Sequence, residues 1–289
     1  PCRLRAARQS CCRRLLRGWT EKGGFRMKYS TAVPAAVRAL IREGELTAPT
    51  TGYCDGYAQG NLVVLPKALA WDFLLFCQRN PKACPLLEVA DAGERSFSRF
   101  APGSDIARDI PRYRIYKNGV LTEETTDVVR YFEERKDLVS FLIGCSFSFE
   151  AALLEADIPV RQIEEGVNVP MYNTNIPCES AGGFSGTMVV SMRPIPYAKI
   201  PAAVAITAGM PHVHGAPVQI GAPEDIGITD LAQPDYGDAV TIYPGEMPVF
   251  WACGVTPQAV VMHSRPEFCI THAPGHMFLT DIKNTALKY

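Results

Sequence analysis

Residues 187–192 read TMVVSM, and four more runs of the same character follow: AVAIT at 203–207, DAVTIY at 238–243, MPVFWA at 247–252 and AVVMH at 259–263. Each is short, rich in Val, Ile, Thr or aromatic residues, and set off by Pro and Gly clusters, a composition that suits half-buried pleated strands. The second half therefore reads as a strand-rich core. Upstream the pattern is helical. Ser30 or Thr31 precedes AVPAAVRALIREG, with Pro34 near the first turn and Gly44 as a stop. A second helix runs from Pro66 to the Asn80-Pro81 break. A third spans Asp127 to about Ile143, where Val128, Phe132, Val139 and Leu142 recur at helical spacing. Between them RYRIYKNG, at 112–119, reads as a strand ending in an Asn-Gly turn. The expectation is an α+β fold with a helix-rich first half, a strand-rich second half and a mixed sheet, arranged as one unit or as two intimately packed lobes.

The chain has 289 residues, 47% of them apolar, enough for a substantial buried core. Nowhere do eighteen apolar residues run without a charge or turn residue, so no spanning helix is expected. The formal charge of −1 hides an asymmetry. Residues 1–28 hold nine of the 29 Lys and Arg and one of the 30 acids, which leaves a body of net charge −9. So acidic a body argues against a nucleic-acid partner. RLRAARQSCCRRLLR, from Arg3 to Arg17, has the Arg-rich, acid-free composition of a mitochondrial transit peptide, against a solvated basic arm as the alternative. The matrix is the expected location, with residues 29–289 as a single domain. Of ten cysteines, three lie in the basic segment and seven are scattered without CxxC spacing, so reduced thiols are expected rather than disulfides or a four-thiolate zinc site.

Chemistry concentrates in four places. In Gly144-Cys145-Ser146-Phe147-Ser148-Phe149-Glu150 an apolar segment meets a helix start, where Ser146 or Ser148 would cap and free amides would seat a carboxylate. Four of five histidines form two groups, His212-Val-His214 and His272-Ala-Pro-Gly-His276. On a strand the first pair would share a face, as two metal ligands or an acid and a base do. A divalent metal on His212, His214 and His276 is thus one reading, and satisfied structural histidines the other. Asn168 to Asn175 reads as a polar loop, with Tyr172, Asn173 and Asn175 offering donors and acceptors to a small substrate, unless turn chemistry alone explains them. Arg193 could end a strand at a pocket mouth and clamp a carboxylate, with a surface salt bridge as the bland alternative. The Gly-rich segment 182–186 lacks a nucleotide-binding spacing. Cys253 sits among apolar neighbours that favour an inert thiol, and Cys145 is a nucleophile only if a base lies nearby.

Taken in order, GYAQGNLVVLP, DFLLFCQRNPKACPLLEV, FLIGCSFSFEAALLEA, NVPMYNTNIPC, SGTMVVSMRPIP, HVHGAPVQIG, PDYGD, GEMPVFWACGVTPQ and THAPGHM resemble the D-glutamate cyclase family, over about residues 30–281. The resemblance extends to the first domain of the mitochondrial, vertebrate-type members, which carry a second, C-terminal domain. It implies a carbon–oxygen lyase that dehydrates D-glutamate to 5-oxo-D-proline, with a small molecule as partner, no nucleic acid or membrane, and self-association left open. The reaction needs a deprotonated amine, a stabilised carboxyl and a curled substrate. In that setting His212 or His214 would be the base, Glu150 a further catalytic group, and Arg193 with the amides near Cys145, Ser146 and Ser148 the carboxylate holders. His272 or His276, alone or through a metal, would help expel hydroxide. Two rivals remain: a hydro-lyase or amidase on another small carboxylic acid, and a non-catalytic module that binds an acidic metabolite.

Overall fold

YAQGNLVVLP is apolar on both faces, the pattern of a strand with neighbours on both sides. In the computed structural model, which describes residues 29–288, it becomes the central strand. The chain runs through α1 (Pro34–Arg42), β1 (Tyr57–Pro66), α2 (Lys67–Arg79), β2 (Leu86–Ala90), β3 (Tyr113–Lys117), β4 (Val120–Thr125), α3 (Val129–Glu134) and β5 (Leu138–Gly144). It continues through α4 (Phe147–Glu155), α5 (Arg161–Glu165), β6 (Met171–Pro177), β7 (Thr187–Pro196), α6 (Ile200–Ala208) and β8 (Gln219–Ile220). Last come β9 (Glu246–Ala252), α7 (Thr256–Ser264), β10 (Phe268–His272) and β11 (Phe278–Lys283). Seven strands form one sheet in the order β2-β5-β1-β10-β3-β4, with β11 also on β1; four form a second, β6-β7-β9-β8. All these pairings are antiparallel, so the mixed sheet expected from the sequence resolves into two antiparallel ones.

The large sheet is covered on both faces. Phe73, Phe76 and Cys77 of α2 and Val260 and Val261 of α7 pack on Val63, Leu65 and Phe141. Phe97, Ile106, Ile110 and Phe132 pack on Leu62, Leu142 and Ile270. A third cluster ties the sheets together, joining Ala58 of β1 and Phe149 of α4 to Ile195 of β7 and Val249 and Trp251 of β9.

The α+β class and the first two helices follow the sequence reading. Other elements do not. The helix expected over Asp127–Ile143 is six residues of α3 followed by β5, which is buried at every position between β2 and β1, so apolar residues on both faces imitated helical spacing. AVAIT lies in α6 and AVVMH in α7, and each helix has a Pro in its first turn, Pro201 and Pro257, that marks a helix start. DAVTIY forms no strand. The basic segment 1–28 lies outside the described residues. Among the described residues no helix is long and apolar enough to cross a membrane.

Candidate active site

At Gly144 the large sheet hands the chain to α4, and the small sheet brings β7 and β9 against it. Arg193, on β7, has its side chain fully buried, with the guanidinium 4.9 Å from the Phe149 ring centroid and 5.6 Å from that of Trp251. Its Nη1 donates to Ser191 Oγ at 3.0 Å, and its Nη2 donates to Ser146 Oγ at 3.2 Å and to Glu150 Oε1 at 2.5 Å. Gln162 Nε2, on α5, donates to the same Oε1 at 2.7 Å. A buried charge is tolerated only when paired and hydrogen-bonded, and this network supplies both. The two bonds to Glu150 fall on one oxygen. Oε2 accepts no hydrogen bond among the described residues, and Glu150 lines a cleft of about 750 Å³ between the 52–57 loop and α4.

Neither serine caps α4. Ser146 occupies the cap position without a capping bond, its hydroxyl committed to Arg193, while Ser148 Oγ accepts from the Gln59 backbone N–H at 3.3 Å. Arg193 was expected at a pocket mouth; it is a wall behind Glu150, and its engaged donors point at protein. Two glycines make this junction possible. A Cβ on Gly144 would stand 2.1 Å from the His212 carbonyl oxygen, and one on Gly254 would stand 1.9 Å from Asn61 Nδ2. Asn61 in turn donates 2.8 Å to the Gly144 carbonyl, tying β1 to the end of β5.

The histidines lie apart in role and exposure. His212 is in a 3-10 turn rather than a strand, exposed, while His214 is fully buried with φ +83°, so the pair shares no face. His214 Nδ1 lies 2.9 Å from the Lys82 carbonyl, which fixes Nδ1 as the protonated nitrogen and leaves Nε2 buried without a partner among the described residues. Burial pushes its pKa down to about 4, with Arg193 adding to the shift. His272, at the end of β10, accepts the Leu62 backbone N–H at Nδ1, 3.1 Å, and burial pushes it down to about 4 as well. His276 is half-buried, its Nδ1 2.9 Å from the Pro274 carbonyl, and burial lowers its pKa. His212, His214 and His276 do not assemble as a ligand set; among the described residues no three His, Cys, Asp or Glu side chains are placed to hold a metal ion.

Met171–Pro177 is an edge strand rather than a loop. Tyr172 is buried and donates to the Leu231 carbonyl at 2.7 Å, while Asn173 and Asn175 face outward, away from the Glu150 cleft. Burial raises the Cys145 thiol pKa far above its ordinary value and that of Cys253 to about 11, the opposite of what an attacking thiolate requires. The sequence reading did not single out Gln162, which holds Glu150, or Gln59, Tyr53 and Asn284, which line the cleft. Gln59 and Asn61 were detectable as polar residues inside the apolar run of β1; Tyr53 and Asn284, 231 positions apart in sequence, carry no local pattern.

A family model described as D-glutamate cyclase matches residues 139–281, the span that holds Glu150, Gln162, Arg193 and His214. A protein of Clostridium beijerinckii named "Putative hydro-lyase" is 61% identical over 263 residues, 91% of this chain and 100% of that one. The chain belongs to the D-glutamate cyclase family. Proteins of the same printed name from Stutzerimonas stutzeri and Bacillus pumilus are 59% and 58% identical, covering 90% of this chain and 97% and 98% of theirs. A solved nitrogen repressor-like protein of Methanococcus jannaschii aligns with a TM-score of 0.35 at 10% identity, over 82% of this chain and 90% of that one, too distant to bear on fold or function.

Proposed function

We propose that this chain is a D-glutamate cyclase, closing D-glutamate to 5-oxo-D-proline with loss of water. The observation that carries the reading is the Glu150 carboxylate, anchored through Oε1 by Arg193 and Gln162 while lining the cleft. The reaction asks for a proton acceptor at the substrate ammonium, and a carboxylate locked in one rotamer at a cleft wall is suited to that work. Glu150 takes a proton from the ammonium; the freed amine attacks the γ-carboxylate carbon and forms the C–N bond; the nitrogen gives up a second proton, the C–O bond breaks, and the departing oxygen takes both protons and leaves as water. Arg193 acts through Glu150, holding it, and is a positioning residue. His214 and His272, uncharged at neutral pH and outside the cleft lining, support the walls.

The family's hydro-lyase names favour a second reading, dehydration of another small carboxylic acid, in which the same carboxylate takes the proton of a C–H bond as the double bond forms and passes it to the hydroxyl departing from the neighbouring carbon. Incubation with D- and L-glutamate, followed by chiral chromatography of 5-oxoproline, separates the two. The D-product is expected from the wild type, and Glu150→Gln should lower kcat by about 10²–10⁴. A folded wild type that makes no 5-oxoproline, or unchanged turnover in Glu150→Gln, overturns the reading.

A further inference from the structure

The cleft beside Glu150 has a chemical bias. Three of its lining residues, Asp55, Glu150 and Glu155, are acids, and none is Lys or Arg. Such a site repels a plain dicarboxylate and attracts a ligand that carries an ammonium. Two more lining residues hold buried polar atoms without a partner among the described residues: Tyr53 Oη, on a residue 2% exposed, and Asn284 Oδ1, on one 8% exposed. Leaving such an atom unpaired costs the full desolvation of the group, so a native structure that keeps two in one cleft invites a ligand explanation. The two atoms are complementary in kind. The amide oxygen only accepts, and the phenol, its pKa pushed up to about 12 by burial, keeps its proton to donate at neutral pH. Tyr57, also in the lining, already receives an ammonium from within the chain: Lys283 Nζ lies 3.5 Å from its ring centroid.

We propose that Tyr53 and Asn284 are the specificity-determining residues of this cleft, selecting an α-amino acid over a simple carboxylic acid, with Asn284 Oδ1 taking the substrate ammonium and the Tyr53 hydroxyl one carboxyl oxygen. The inference deepens the cyclase reading and rests on its choice of cleft. It places the ammonium in the cleft that Glu150 lines, and Glu150 removes its proton. Neither residue moves a proton itself, so their loss weakens binding and spares the chemical step.

The test uses the whole chain with Tyr53→Phe and Asn284→Leu, measuring turnover of D-glutamate and the thermal shift produced by D-glutamate and by glutarate. Each variant should raise KM about tenfold while kcat changes less than about threefold, as expected when one ligand hydrogen bond is lost. The free variants should melt no lower than wild type, because the removed atoms have no partner among the described residues, and glutarate should stabilise the wild type far less than D-glutamate does. Wild-type KM in both variants, a lowered melting temperature in both, or equal stabilisation by glutarate would overturn the inference while leaving the cyclase reading intact. If the wild type does not turn over D-glutamate, the cyclase reading falls instead. An amine-dependent thermal shift that both variants abolish would still uphold the subsite, and no shift with any α-amino acid would refute it.

Discussion

Glu150 and Arg193 are 43 residues apart in sequence and meet only because β7 crosses behind α4. Their burial makes the pair unforgiving. Arg193→Met removes the partner of a buried carboxylate and is expected to cost about 3–5 kcal/mol, read as a lower urea midpoint at unchanged slope. Glu150→Gln keeps an oxygen that accepts from Arg193 and Gln162 but removes the counter-charge of the buried guanidinium, so it too is expected to lower the midpoint. A chain whose Arg193→Met variant is as stable as wild type does not hold Glu150 as described. Both residues stood out in the sequence as chemistry-bearing, but the distances on which the proposed roles of anchor and base rest are tertiary. The histidines show the reverse: paired in sequence, His212 and His214 diverge because a 3-10 turn and a positive φ send one outward and bury the other.

At the scale of elements, the junction of β5 with α4 depends on how closely the 3-10 turn at Pro211–Val213 can approach. Gly144→Ala would set a methyl against the His212 backbone carbonyl, which cannot swing aside as a side chain could, and should lower stability by about 1–3 kcal/mol or more. Gly183→Ala is the matched control: its Cβ meets nothing within 4 Å, and stability should hold or rise by up to about 1 kcal/mol. Denaturant midpoints of the two variants check both. The helix start at Pro34 and the hairpin at Asn118-Gly119 were legible because the causes are local, whereas Pro201 and Pro257 carry the same signal beside runs that read as strands. Short apolar runs were not, because a strand buried on both faces and a buried helix expose the same residues to no water, and only the neighbours decide between them.

For the whole molecule, pH should be a stability variable. His214 and His272 fall from the ordinary 6.5 to about 4 on burial, so between those values the unfolded chain binds protons that the folded chain refuses. Their stabilising contribution is fully present above pH 6.5 and is lost as pH falls through about 4. Each histidine accounts for up to about 3 kcal/mol by linkage. Urea midpoints measured from pH 7 to pH 4.5 should fall steadily, and a flat profile would show that neither imidazole is held neutral.

The amino-acid sequence by itself determined the α+β class, the helices at Pro34–Arg42 and Lys67–Arg79, the strands at Thr187–Pro196 and Glu246–Ala252 and the family, and it singled out Cys145–Glu150 and Arg193 as candidates. These follow from periodicity, turn chemistry and long ordered motifs, which act over a few residues at a time. Only the tertiary structure decided that the sheets are two and antiparallel, that Arg193 faces Glu150 rather than solvent, and that Tyr53 and Asn284 share a cleft. Those outcomes depend on burial and distance between segments remote along the chain, which no local pattern of residues records.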